Sequence, residues 1–398
     1  MKTTAFSIAS LALAAAPFAP AQDSTLAPIF DGKSFDGWEQ RGGKAAYSVE
    51  DGAVVGRSVP NTPNSFMCTK KTYGDFLLEY EFKVDEELNS GVQIRSNSLP
   101  DYKNGQVHGY QVEIDPDTKR NRMWTGGIYD EGRRGWLNDL SQNEAARKAF
   151  KPGDWNAIKV RAVGDHIQTW LNGVPAADLV DSMTQEGFIG LQVHGVGKRE
   201  DPLEIRWRNI QLQDLGRHVW KPIFDGKTLD GWEPGEGGNW EVKDGAIVGT
   251  SPASEKRHGI LFFKDEVGDF TCRFKFRATK GNSGFYFRTE KVKGGVSVHG
   301  FQAEVDTTTD TGGLYETGGR AWVAKSDPEM MKKIYKPGEW SEMAVSARGG
   351  RVVVHVNGAK TVELKDDPGR AKGFLGLQLH GGQEMLVEFK DIELLVKE

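Results

Sequence analysis

The sequence predicts an all-β protein built as two tandem antiparallel sandwiches or jelly rolls. Three observations predict it: an ordered internal repeat, strands in which apolar and polar residues alternate, and Asn-Gly turns that close short strands.

The repeat fixes the number of domains. Phe30-Asp-Gly-Lys-Ser-Phe-Asp-Gly-Trp38 returns as Phe224-Asp-Gly-Lys-Thr-Leu-Asp-Gly-Trp232. Asn89-Ser-Gly-Val-Gln-Ile-Arg95 returns as Asn282-Ser-Gly-Phe-Tyr-Phe-Arg288, and Thr125-Gly-Gly-Ile-Tyr129 as Thr311-Gly-Gly-Leu-Tyr315. Lys151-Pro-Gly-Asp-Trp155 matches Lys336-Pro-Gly-Glu-Trp340, and Leu191-Gln-Val-His-Gly195 matches Leu377-Gln-Leu-His-Gly381. The order never changes. A chain of 398 residues exceeds one ordinary core. The expected domains are 25–214 and 219–398, with the boundary between Asp214 and Trp220.

The strands follow from period two. Phe76, Leu78, Tyr80, Phe82 and Val84 alternate with Leu77, Glu79, Glu81 and Lys83. Phe270, Cys272, Phe274 and Phe276 do the same in the second copy. His166 to Leu171 and Arg351 to Val356 end in Asn172-Gly173 and Asn357-Gly358, a strong hairpin signal. Helix is scarce: Ser141 to Phe150, capped by Ser141, and Asp327 to Ile334.

Composition narrows the function. A net charge of −5 with 27% charged residues points to no nucleic-acid or anionic-membrane partner. Abundant Gly (49) and Trp (11) suit a turn-rich β protein with aromatic surfaces. The two cysteines, Cys68 and Cys272, do not align between the copies, so they read as buried free thiols. Lys2, the apolar run Ala5 to Ala16 and Ala19-Pro20-Ala21 read as a signal peptide over 1–21. A periplasmic or secreted protein without a membrane span is expected.

The candidate site starts from His108-Gly-Tyr-Gln-Val-Glu-Ile-Asp115, which returns as His299-Gly-Phe-Gln-Ala-Glu-Val-Asp306. As a strand it puts Gln111, Glu113 and Asp115 on one face, with Tyr110, Val112 and Ile114 beneath. Gln93 and Arg95 share a face of a second strand, Gln192 and His194 of a third. If these strands are neighbours, one sheet carries an Arg, two carboxylates, a His and amides on its outer surface. The second copy offers Tyr286, Arg288, Gln302, Glu304, Asp306, Gln378 and His380. An ordinary solvated face would be free to use Lys, Ser or Thr in either copy, so the recurrence favours a site. Neighbouring loops add His108, Trp124, Tyr129, Arg134 and Trp136, with His299, Tyr315, Arg320 and Trp322 as counterparts. Trp and Tyr beside carboxylates suit a sugar ring, which offers C–H faces to aromatics and hydroxyls to polar groups.

This ordered set of motifs, present twice over nearly the whole mature chain, resembles the 3-keto-disaccharide hydrolase family. The resemblance implies a concanavalin-like jelly roll and action on glycosides whose C3 hydroxyl has become a ketone, as 3-keto-glycoside 1,2-lyase or 3-keto-2-hydroxyglucal hydratase. Such chemistry removes the C2 proton, expels the C1 substituent and adds water to the glycal. It needs a base, an anion stabiliser and an acid for the leaving oxygen. His194 or Glu113 could be the base, Arg95 could hold the enolate oxygen, and Asp115 could orient the His or a water. Arg288, Glu304, Asp306 and His380 take those roles in the second half. A divalent metal held by His and carboxylates could polarise the ketone instead, though the spacing fits no ligand motif.

Two other classes compete. Glu113 and Asp115 resemble part of the Glu-x-Asp-x-x-Glu strand of laminarinase-type retaining glycosidases, but the second Glu is absent. A non-catalytic carbohydrate-binding protein is the other. Between the halves, Trp124 and Arg133 are found only in the first. The second has Gly319 at the position of Arg133, and Tyr286 where the first has Gln93. Both halves are expected to bind sugar, the first being the better catalyst.

Overall fold

The structure, a computed structural model, describes residues 25–117, 119, 122–294 and 296–398. The signal peptide expected over 1–21 lies outside the described residues.

Each half is a pair of antiparallel sheets over one core. In the first half, the front sheet runs Gly135–Asn138, Ile128–Glu131, His108–Ile114, Ser90–Asn97, Phe188–Val193, Ser65–Thr69, Trp38–Gly42. The back sheet runs Val174–Val180, His166–Leu171, Asn156–Val163, Phe76–Val84, Glu204–Asp214, Ala53–Arg57, Ala46–Glu50, with Ala27–Pro28 added beside Glu204–Asp214. The second half repeats both orders strand for strand. Its front sheet is centred on Asn282–Lys291 and Val298–Asp306, its back sheet on Phe270–Lys280 and Met385–Lys397. This is the twofold jelly-roll architecture that the repeat and the alternation predict.

Period two explains both cores. Leu78, Tyr80 and Phe82 of the back sheet meet Val92, Ile94, Val112, Ile114, Ile189 and Leu191 of the front sheet. Phe274, Phe276, Phe285, Ala303, Val305 and Leu377 do the same in the second half. Each fully buried large apolar side chain contributes about 1.5–3 kcal/mol, so a one-residue slip of any central strand is strongly disfavoured. Asn172-Gly173 and Asn357-Gly358 have positive φ at both residues (50° and 82°, 49° and 79°), the geometry of tight hairpin turns. Cys68 and Cys272 are buried and free. Among the described residues, no helix is long and apolar enough to cross a membrane.

The first helix differs from expectation. It spans Glu144–Ala149, and its cap is Asn143, whose side chain accepts from the Ala146 amide. Ser141 sits in the preceding turn instead, its own amide bound to Asp139 Oδ1 at 2.9 Å. The second helix, Pro328–Ile334, is capped by Asp327.

The alternation breaks once in each half. Register shifts between Ile94 and Asn97, and between Phe287 and Glu290, mark β-bulges, with Arg95 (φ 46°) and Arg288 (φ 49°) in the left-handed region. Gly187 and Gly373 pack against these bulges: a Cβ on either would come within 2.3 Å of neighbouring backbone. The bulge swings each arginine off the outer face, and Ser96 takes the next outward position.

The halves meet through buried polar contacts. Arg134 of the first half donates to the Gly358 carbonyl at 2.9 Å. Thr271 and Arg348 of the second half both reach the buried Asp165 of the first.

Candidate functional site

The outer face of the first front sheet forms the floor of a cleft of about 990 Å³. Register sets its residues. Gln111 stands opposite Gln93 on one side and Tyr129 on the other, and Glu113 stands opposite Gly91. Directly opposed residues share a face. A Cβ on Gly91 would lie 2.5 Å from the Gln111 side chain, so only glycine lets that amide lie flat across the neighbouring strand. Gly284 plays the same part for Gln302, at 2.4 Å. This is the physical content of the repeated Asn-Ser-Gly.

Glu113 is held by a directed chain of amides. Ser96 Oγ donates to Gln93 Oε1 (2.7 Å), Gln93 Nε2 to Gln111 Oε1 (2.5 Å), and Gln111 Nε2 to Glu113 Oε2 (2.8 Å). Asn89 Nδ2 donates to the other oxygen at 2.6 Å. Glu113 is only 4% exposed. Burial pushes its pKa up to about 7; the Asn89 and Gln111 hydrogen bonds work against the rise, and Asp115 and Glu131 add to it.

One wall of the cleft is aromatic. Tyr129 and Trp136 line it, edge to face at 5.4 Å. Arg122 stacks over Trp136 and pairs with Asp115 at 2.7 Å. Asn64, Glu131 and His194 also line the cleft. Asn64 Nδ2 donates to Glu131 Oε1 (3.3 Å), while its Oδ1 accepts from the Gly195 amide (3.0 Å). Burial raises the Glu131 pKa, partly offset by Asn64 and His194. His194 is exposed, its Nδ1 2.9 Å from the Gly195 carbonyl oxygen.

The second half repeats the floor in a smaller cleft of about 420 Å³. Asn282 and Gln302 donate to Glu304. Burial and Asp306 push the Glu304 pKa up to about 8. Tyr315, Trp322 and His380 line it as Tyr129, Trp136 and His194 line the first. At three matched positions the residues differ: His258 replaces Asn64, Thr317 replaces Glu131, and Tyr286 replaces Gln93. Tyr286 shares a hydrogen bond with Thr317 and accepts from Gln378, which also reaches His258. Burial and neighbouring His380, whose ring lies 4.3 Å away, push His258 down to about 4.

Several sequence-based expectations need correction. Arg95 does not face the cleft. It is fully buried, donating to the carbonyls of Gly74 and Gly164 and to Asp75 at 3.0 Å, because the bulge turns it inward. Burial alone would raise Asp75, but His218, the Gly164 amide and Arg95 together hold it below its usual range. Arg288 likewise pairs with Asp269 and the Gly349 carbonyl. Arg134 pins its own hairpin through Asp130 and Asp181, as Arg320 does through Glu316 and Asp367. Arg133 binds Asp130 and Thr184, away from the cleft. His108 is buried with its Nδ1 near the Gln106 carbonyl, and His299 faces Glu290. Asp306 holds the Thr308 and Thr311 turn. Trp124 backs the wall, edge-on to Trp136 at 4.8 Å, rather than lining it. Gln93 and Gln192 lie buried in the floor, and the Gln192 Oε1 has no hydrogen-bond partner among the described residues.

Asn64, Asn89, Arg122 and Glu131 also belong to the cleft, beyond the residues that the sequence singles out. Asn89 recurs as Asn282 inside a motif already in view, and Glu131 is two residues beyond Tyr129, hence on the same strand face. Among the described residues, no three His, Cys, Asp or Glu side chains converge as metal ligands. Both Glu113 oxygens accept amide protons, from Asn89 and Gln111.

No curated protein matches this chain. About half of it aligns with solved structures. A candidate glycosyl hydrolase of Parabacteroides distasonis is 23% identical over 48% of this chain and 100% of that one, with a TM-score of 0.35. The carbohydrate-binding module CBM66 of Bacillus subtilis is 17% identical over 42% and 96%, with a TM-score of 0.34. A Bacillus subtilis protein of unknown function with a galectin-like fold is 13% identical over 45% and 100%, also at 0.34. The model of the 3-keto-alpha-glucoside-1,2-lyase-like domain matches residues 25–213 and again 219–395. The chain is therefore a carbohydrate-related protein that belongs, in both halves, to the 3-keto-alpha-glucoside-1,2-lyase-like domain family.

Proposed function

We propose that this protein cleaves 3-keto-glycosides by abstracting the C2 proton and eliminating the C1 substituent, after which water adds to the glycal. Family membership supports the substrate class. One observation carries the chemistry: a buried carboxylate, Glu113, on the floor of an open, aromatic-walled cleft, with a pKa near 7. A base with a pKa near the working pH is both ionised often enough and basic enough to take a carbon-bound proton. The C3 ketone acidifies C2–H. Glu113 takes the proton, and the electron pair enters the enolate. The enolate then collapses to form C1=C2, the C1–O bond breaks, and the leaving oxygen collects a proton. Asn89 and Gln111 hold the carboxylate in place. Arg122, not Arg95, lines the cleft beside Asp115 and Trp136 and can meet charge developing on O3; Lys119 and Arg199 line the same cleft but pair with Glu87. Trp136 and Tyr129 offer the stacking wall.

An ordinary glycoside hydrolase is the second reading, favoured by Glu131 as a second carboxylate in the same cleft. The test gives the full-length protein a 3-keto disaccharide beside its unoxidised parent and analyses the products. Consumption of the 3-keto sugar alone is expected. Equal cleavage of the parent points to the hydrolase, and binding of either sugar without turnover points to a binding protein.

A further inference from the structure

We propose that Glu131 is the proton donor to the leaving oxygen in the first cleft, and that the second half lacks this donor. The proposal rests on the elimination reading above. Glu131 stands opposite Gly109 on the strand beside His108–Ile114, on the face that carries Gln111 and Glu113. It lines the same cleft as Glu113 and lies near enough to raise that group's pKa. Asn64 fixes it: the Asn64 side chain bridges from Glu131 Oε1 to the Gly195 amide, and the Asn64 carbonyl accepts from Gly43 at 2.8 Å. With Oε1 taken by an amide donor, the proton of the neutral acid sits on the other oxygen. Burial favours that neutral form, with Asp130 acting in the same direction and His194 against it.

The step balances. Glu113 gains the C2 proton, C1–O breaks, and Glu131 transfers its proton to the departing oxygen. The two carboxyls end with exchanged protonation states and reset through solvent. In the second cleft Thr317 stands at this position, bound to Tyr286, and Thr is too weak an acid for the task. A sugar alcohol leaves poorly unless protonated, so this difference matters most for disaccharides.

The test uses the full-length chain carrying Glu304→Gln, to silence the second cleft. Glu131→Gln is assayed on a 3-keto disaccharide and on the 3-keto glycoside of 4-nitrophenol, which departs without a proton. Expected is a loss of at least ~10²-fold on the disaccharide and less than about tenfold on the nitrophenyl substrate. Glu131→Thr, the residue the second half accommodates here, should show the same split. Equal losses on both substrates, or none on either, would overturn the proposal. If the chain with Glu131 intact turns over neither 3-keto substrate, the elimination reading itself fails.

Discussion

The two clefts share an Asn–Gln–Glu core in their floors and differ in the residues around it. Asn, Gln and Glu recur with the same hydrogen bonds, as Asn89, Gln111 and Glu113 in the first half and Asn282, Gln302 and Glu304 in the second. Around them the first half places Asn64, Glu131 and Gln93, and the second places His258, Thr317 and Tyr286. One edge is acidic. The other carries a Tyr–Gln–His network, and its cleft encloses less than half the volume. A duplicated chain thus keeps the residues that hold the buried carboxylate and varies the groups around it.

The largest expected effect concerns the floor itself. Glu113→Gln should lower turnover of a 3-keto disaccharide by at least ~10²-fold, while Glu304→Gln in the same chain should lower it several-fold at most. Steady-state rates on one substrate check this, and the reverse order would reassign the better catalyst to the second half.

Next comes the arginine that the bulge turns inward. Arg95 and Asp75 are both essentially buried, whereas Asp269 beside Arg288 is 57% exposed. Arg95→Ala takes one charged partner from buried Asp75, which keeps His218 and the Gly164 amide, and frees the Gly74 and Gly164 carbonyls; it should cost about 1.5–3 kcal/mol of stability. Arg288→Ala should cost clearly less, because water reaches Asp269. Denaturant unfolding measures both, and equal costs would contradict the burial argument.

The aromatic wall should matter less. Trp136→Ala is expected to raise KM about tenfold, equivalent to about 1.4 kcal/mol of lost binding, with kcat little changed. Trp124→Phe should move KM less, since Trp124 supports Trp136 from behind.

The smallest effect is a shift of the pH profile. If Glu113 and Glu304 are the proposed bases, each must act ionised, so activity should rise with pH through the folded-state pKa. In a Glu304→Gln chain the rise should centre near pH 7, set by Glu113, and in a Glu113→Gln chain near pH 8, set by Glu304. The rising limb of log(kcat/KM) reports each. Coincident limbs would mean that one group sets both.

The sequence by itself determined the duplicated all-β fold, because period-two alternation and Asn-Gly turns are local and burial then fixes which face is inside. It also determined that Gln111, Glu113, Gln302 and Glu304 share an outward face, since that needs only an unbroken strand. Recurrence was a weaker guide. Arg95, Arg134 and their counterparts Arg288 and Arg320 recur because the fold needs them, two at bulges and two pinning hairpins. Glu131 is the opposite case: it lines the cleft yet does not recur, having Thr317 as its counterpart in the second copy. Only the tertiary structure decided these. A bulge of one residue reverses every facing beyond it, and the partners that bury Arg95 (Gly74, Asp75 and Gly164) come from segments far along the chain. The approach of Asn64 to Glu131, 67 residues apart, likewise depends on how strands from distant parts of the sequence are ordered in one sheet.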